Sequence, residues 1–345
     1  MALLFADGMD MYTTSADIAS KWDSSYLNVF NGTTGRFGSG AITLHSNYPG
    51  YPSKVISYTV SNTVPINYGF WYKDSLSSTN VGAGAFNSTF ITTGGNWSML
   101  AVVAGSNVLK LNNDLNGAHG QTIGSHTVGG SGWHWIEVST LFHTSAGYVK
   151  VYVDGILDIS YSGATCASVP ATILNILPGQ CSQWFNNGNI YLDDFIVWDG
   201  SGTAVNNFPL GPQRISTFVP TANGDLSGFT PSAGTNYTCV NSGFAGTNSV
   251  SDTSTGVTDL YAFGTISYNP LNINAVVANY YGQNAGVGTA FLHPTIKTGT
   301  TVLTTGTIQL TNGTNRNYQA VFESDANGTG WTTSTINTIQ VGITD

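Results

Sequence analysis

Between positions 131 and 155 polar and apolar residues alternate in two runs. In the first, Trp133, Trp135, Glu137 and Ser139 fall on one side, and His134, Ile136, Val138 and Thr140 on the other. In the second, Tyr148, Lys150, Tyr152 and Asp154 oppose Val149, Val151 and Val153. Period two with aromatic and β-branched residues predicts half-buried strands. A short loop over 143–147 joins them, and Asp154-Gly155 forms a hairpin turn into a third strand over 156–161. Similar runs predict strands over 68–74, 86–91, 97–103, 108–111, 169–177 and 190–200. In the last, Tyr191, Asp193, Phe195 and Val197 should oppose Ile190, Leu192, Asp194, Ile196 and Trp198.

The second half carries β markers at 229–240, 259–266, 273–283 and 317–325. The run 290–297 is at best an edge strand, because Pro294 cannot donate to a ladder. Two helical turns interrupt the pattern. One lies within 10–22, with Ser15 as its cap, and the other follows Trp331, over 332–339, before a final strand at 340–343. A Pro-bearing connector over 206–220 separates the halves. The expected fold is all-β, with domains at 1–210 and 211–345, since 345 residues exceed one modest core.

Composition narrows the function classes. Only 8% of residues are charged while 41% are hydrophobic, so the chain folds without leaning on charge. The net charge is −9 and the nine basic residues are scattered in sequence, which argues against a nucleic-acid face or an anionic membrane surface. The N-terminus lacks the basic region of a secretory signal, so synthesis in a cytosol is expected. Cys166, Cys181 and Cys239 make an odd count, which favours buried thiols; pairing of Cys166 with Cys181 stays open. No Cys/His spacing suits a structural zinc.

The strand ending in W-x-x-I-E-V, followed by G-x-V-x-V-Y-V-D-G at 147–155, resembles the core of concanavalin A-like (laminin-G-like) jelly rolls. A wider pattern is similar to a set of tailed-bacteriophage virion proteins. It comprises Asp7-Gly8-Met9-Asp10, Trp22, G-R-F-G-x-G-A-I at 35–42, Arg214 to Asp225, and G-W-T-x-x-x-I-N-x-I-Q-V-G at 330–342. Met9 stands where that pattern has an aromatic. The resemblance implies a concanavalin A-like jelly-roll sandwich followed by a smaller β-sandwich. It also implies a virion structural protein, either a head decoration or a tail or fibre component, with other virion proteins and copies of itself as partners.

Jelly-roll glucanases, which the same resemblance brings in, pair carboxylates across a glycosidic bond. This chain has two glutamates, Glu137 and Glu323, in different predicted domains, and the adjacent Asp193 and Asp194 should face opposite sides of a strand. No catalytic residue is therefore expected, and no cofactor. Calcium is the cation the superfamily allows, with Asn112-Asn113-Asp114 and Asn116 as the candidate loop, though one carboxylate makes a weak site. His134, between two tryptophans, reads as an ordinary strand residue. For a host glycan or a subunit contact, the candidates are Trp184, Phe185, Asn186 and Asn187, an aromatic pair beside two amides. The readings in order are a non-enzymatic virion protein, an adhesin for host surface polysaccharide, and, least favoured, a polysaccharide-degrading enzyme.

Overall fold

The computed structural model describes residues 3–22, 30–37, 40–45, 54–57, 63–74, 84–88, 98–103, 108–113, 120–130, 132–165, 173–181, 189–243 and 246–345. They divide into two compact units. The first comprises Met1–Gly202 with Asn206–Ser216, and the second Thr203–Val205 with Thr217–Asp345.

The first unit holds strands β1 (Leu3–Asp7), β2 (Phe30–Asn31), β3 (Ala41–His45), β4 (Lys54–Ser57), β5 (Ile66–Asp74), β6 (Gly84–Ser88) and β7 (Ser98–Val103). It continues with β8 (Val108–Asn113), β9 (Gly120–Thr127), β10 (His134–Leu141), β11 (Gly147–Val153), β12 (Ile156–Gly163), β13 (Ile173–Cys181) and β14 (Asn189–Trp198). One sheet has the order β12-β11-β10-β5-β14-β3-β2, with β1 also on β14; the other runs β4-β13-β6-β7-β8-β9. All pairings are antiparallel and the chain passes repeatedly from one sheet to the other, which is jelly-roll connectivity. The sheets are tied where Asp158 on β12 accepts the amides of Ser125 and His126 on β9.

The meander read from 131–155 is present as β10, β11 and β12. Its core face follows the alternation: Ile136 lies opposite Val153, Val138 opposite Val151, and all four are buried. Asp154 and Gly155 make their two-residue turn with φ of 51° and 83°, the doubly left-handed geometry that matches strand twist. The Asp154 carboxylate also accepts the Trp135 amide at 2.8 Å.

The core face continues across β5 through Tyr68, Phe70 and Tyr72, where Phe195, Phe5 and Trp22 gather ring on ring. Trp22 ends helix α1 (Ser15–Lys21), which is capped at Thr14, one residue before the expected Ser15. The Asp17 carboxylate accepts the Thr13 and Thr14 amides and so closes the helix start. Asp7 at the end of β1 accepts from the Met9 amide, Tyr12 Oη and Trp22 Nε1, which folds the first motif on itself.

The expected alternation of β14 is wrong after Asp193. Register places Leu192 opposite Tyr72 and Asp193 opposite Trp71, then resumes with Ile196 opposite Gly69 and Val197 opposite Tyr68. Asp194, at φ 50°, is the extra residue of a β-bulge, and it turns Phe195 onto the core face that Leu192 shares.

The second unit contains β15 (Pro220–Ser227), β16 (Thr230–Pro231), β17 (Val250–Ser251), β18 (Thr258–Phe263), β19 (Val276–Gly282) and β20 (Phe291–Thr298). Then come β21 (Thr301–Thr304), β22 (Ile308–Gln309), β23 (Arg316–Phe322) and β24 (Gln340–Thr344). A sheet of order β15-β18-β24-β20-β21, with β22 on β20, faces the β19–β23 pair. Ala278, Ile296, Phe322, Trp331, Ile336, Ile339 and Val341 form the core between them. This is the smaller β-sandwich, closed by a short helix (Thr333–Ile336) and β24, as the sequence led us to expect.

Two expectations fail here. Pro294 lies in an internal strand, because its carbonyl accepts from Thr305 and its missing N–H falls on the same side, where the ladder passes from β22 to β21. Part of the 229–240 marker is helical, over Asn236–Val240, because the Asn236 amide is drawn onto the buried Asp259 carboxylate.

Candidate functional site

The face of β5, β10 and β14 opposite the core carries the chemistry. Along β5, Asn67, Gly69, Trp71 and Lys73 point to it. Register adds Glu137 beside Gly69, Trp135 and Asp193 beside Trp71, and Tyr191 beside Lys73. Gly69 is required there: a Cβ would come within 2.6 Å of the Trp135 ring.

Much of this face is roofed by the segment Asn206–Ser216, which the sheet holds by its backbone. Glu137 Oε1 accepts the Leu210 amide at 2.7 Å, and Oε2 accepts the Gly211 amide at 3.0 Å. Trp71 Nε1 donates to the Gln213 carbonyl at 2.6 Å, and Trp198 Nε1 to the Asn207 carbonyl at 2.9 Å. Phe208 packs edge-on against Tyr152, and the Ile215 amide reaches Asp194 Oδ1 at 3.0 Å. A buried indole or carboxylate needs a partner, and the strap supplies one to Trp71, Trp198, Glu137 and Asp194. Sequence reading sees the connector as a linker; here it is bound to the first unit.

Arg36, Phe37 and Arg214 meet at the rim of this roof. The Arg36 guanidinium lies 3.4 Å from the Trp71 ring centroid and 4.6 Å from that of Phe37, and Arg214 lies 3.8 Å from Phe37. Phe37 is 46% exposed. Beyond the roof, Lys73 Nζ sits 5.8 Å from the Trp133 ring and 5.7 Å from Tyr191, both partly exposed.

Beneath Arg36, Asp193 Oδ2 accepts the Arg36 amide at 2.7 Å and Oδ1 accepts the Asp194 amide at 2.8 Å. Burial pushes the Asp193 carboxyl up to about 7, opposed by those two amides and aided by Asp10. Asp194 is likewise held well above the usual carboxylate range by burial and by Asp193. Burial lowers Arg36, with Arg214 adding repulsion and the Asp pair opposing both. Burial also raises Glu137, while the amides of Leu210 and Gly211 hold it back.

The bulge thus removes the reason for setting Asp193 and Asp194 on independent faces; they are electrostatically linked. The second Asp194 oxygen, Oδ2, is buried without a hydrogen-bond partner. Asp193, Asp194 and Glu137 are almost wholly buried and accept backbone amides, whereas a general acid or base must reach its substrate. Glu323 accepts the Thr203 and Ala204 amides in the second unit. His134 contacts Asp154 through Nδ1 at 2.8 Å.

Trp184, Phe185, Asn186 and Asn187 lie outside the described residues, as do Asp114, Asn116 and Cys166; no side-chain placement is described for Asn112, Asn113 or Cys181. Cys239 is a buried free thiol. Among the described residues, no three His, Cys, Asp or Glu side chains gather as metal ligands, and no helix is long and apolar enough to cross a membrane. The Arg36–Phe37–Arg214 stack was not singled out as a site from the sequence, although both halves lie in quoted motifs.

No family model and no curated protein matches the chain. Solved structures overlay part of it. A cellulose-induced protein, Cip1, aligns at 11% identity and TM-score 0.40, over 56% of this chain and 96% of its own. The carbohydrate esterase vb_24B_21 from the Shiga toxin-encoding bacteriophage phi24B aligns at 12% and 0.40, over 57% and 98%. The carbohydrate recognition domain of Emp47p aligns at 13% and 0.35, over 57% and 97%. At these scores no function is taken from the overlays.

Proposed function

We propose that this chain is a non-enzymatic glycan-recognition protein, with the jelly-roll unit presenting the binding face. The observation that carries the reading is the strip left open beside the strap, where Trp133, Tyr191 and Phe37 present aromatic surface among long polar side chains. Sugar rings pack their C–H faces on such aromatics, and nearby donors fix their hydroxyls. The burial of the carboxylates in backbone contacts supports recognition in place of hydrolysis. The test is a glycan array probed with the full chain, with Trp133→Ala as control. Retention of named glycans by wild type and their loss in the variant is expected, and an array with no retained glycan overturns the reading.

A second reading, a structural component of a tailed-phage particle, draws support from how the quoted motifs come together. Gly8 packs under Ile215, Arg36 donates its amide to Asp193, and Arg214 stacks on Phe37, so three separated motifs build one joint. Under this reading the chain resides in the virion, as a head decoration or a tail or fibre component, in contact with other virion proteins and copies of itself. The two readings are compatible in an adhesin. Cryo-EM of purified particles tests the second: fixed copies in the map are expected, and absence from particles removes it.

A further inference from the structure

The open strip has a spacing as well as a chemistry. Tyr191 on β14 lies opposite Lys73 on β5. On the other side of β5, His134 opens β10 opposite Tyr72, so Trp133, the residue before it, comes level with Lys73. Trp133, Lys73 and Tyr191 thus form one row across three strands. The Lys73 ammonium sits midway, 5.8 Å from the Trp133 ring centroid and 5.7 Å from that of Tyr191. Neighbouring strands are about 4.8 Å apart, so the two aromatics are rooted about 10 Å from each other.

An aromatic ring takes the C–H face of a sugar, and an ammonium offers three donors to hydroxyls. In an extended β-1,4-linked chain each pyranose advances by about one strand spacing and is turned over relative to the one before. The first and third rings therefore present the same face two strand spacings apart, matching the two aromatics, and the second ring falls over Lys73. An α-1,4-linked chain coils, so its first and third rings do not share a plane and cannot meet both aromatics together. The direction of the chain is also set. A glycan running along β5 would meet the strap, because Trp71, next on this face, is 5% exposed and gives its indole N–H to the Gln213 carbonyl.

We infer that the strip reads chain shape, taking an extended β-1,4-linked glycan of at least three sugars laid across β10, β5 and β14. This rests on the glycan-recognition reading and adds the linkage class and the minimum length of the sugar.

The experiment titrates the full chain by calorimetry with cello-oligosaccharides and malto-oligosaccharides of two to six glucose units. The monomer is the same and only the chain shape differs. The expected result is a step of about tenfold in affinity from cellobiose to cellotriose, the worth of engaging the second aromatic, with smaller gains beyond. Maltotriose should bind at least about tenfold more weakly than cellotriose. Trp133→Ala should remove the step while changing cellobiose affinity less than about threefold. Lys73→Met keeps the length of the side chain and drops its donors, so cellotriose should bind about three- to tenfold more weakly at an unchanged melting temperature. Affinity that climbs evenly with length, equal binding of the two series, a step that survives Trp133→Ala, or cellotriose binding unmoved by Lys73→Met overturns the inference. Absence of cello-oligosaccharide binding overturns it too. If the array then retains other glycans, glycan recognition stands without this geometry; if it retains none, both fall.

Discussion

Removing Glu137 should release the strap more than it disturbs the sheet. The side chain is fully buried and spends both oxygens on the Leu210 and Gly211 amides. Hydrogen bonds to a charged group contribute about 1.5–3 kcal/mol each. The carboxylate has already been taken out of water, as its raised pKa records, and removing it recovers part of that cost. A net loss of about 3 kcal/mol for Glu137→Ala follows from two such bonds less the recovered desolvation. Glu137→Gln keeps the volume but turns an NH2 toward one of the two amides, so about 1–3 kcal/mol is expected there. The melting temperature of a unit this size should fall by about 2–4 °C per kcal/mol. The discriminating assay is amide hydrogen exchange: protection at Leu210 and Gly211 should drop in both variants, while Val138 and Val151 in the sheet keep most of theirs. If protection over 207–215 stays at its wild-type level while the melting temperature falls, Glu137 acts through sheet packing and the strap argument is refuted.

The Asp193 carboxyl has a folded pKa above its unfolded value, so the folded state binds its proton more tightly. Stability from this group is therefore greatest below about 4 and declines as pH rises to about 7, by at most about 4 kcal/mol. Asp193→Asn should flatten that decline in urea midpoints measured across the window, and an unchanged slope would count against it. Gly69→Ala should cost about 1–3 kcal/mol through its collision with the Trp135 ring, read by thermal melting. Gly342→Ala places a Cβ 1.8 Å from the Asp259 carbonyl, so the second unit should lose about 3 kcal/mol or more, seen as a separate early transition in calorimetry. Gly155→Ala, at φ 83°, should cost about 1 kcal/mol and leave ligand binding unchanged.

The legible parts of this fold are those whose cause is local. Alternation fixed the core face of β10 and β11, although β10, expected half-buried like β11, is buried on both faces, and Asp154-Gly155 announced its turn. The β14 bulge was not legible, because period-two reasoning assumes an unbroken strand and Asp194 is compatible with either state until Phe195 has a core to enter. The strap was hidden for another reason. Its partners lie 73 residues away at Glu137, 142 at Trp71 and, for the rim beneath it, 157 between Arg36 and Asp193. A signal did exist: one of the chain's two glutamates sits between Trp135 and Ser139 on a strand face, and a buried charge there asks for donors the sheet cannot give. The arginine stack needed the folded chain, since Arg36 and Arg214 meet only after the strap is laid down.

The order of the strap's attachments also sets how the first unit answers a mechanical load. Tension entering the chain just after Ser216 meets the Ile215–Asp194 bond first, then Arg214 on Phe37, then Gln213 on Trp71, and last the Glu137 pair. These contacts are loaded in series, so a pull unzips them one at a time instead of shearing the sheet. Each step frees a few residues of strap while the β-sheet beneath stays folded, so the first unit yields at its cover before it yields at its core.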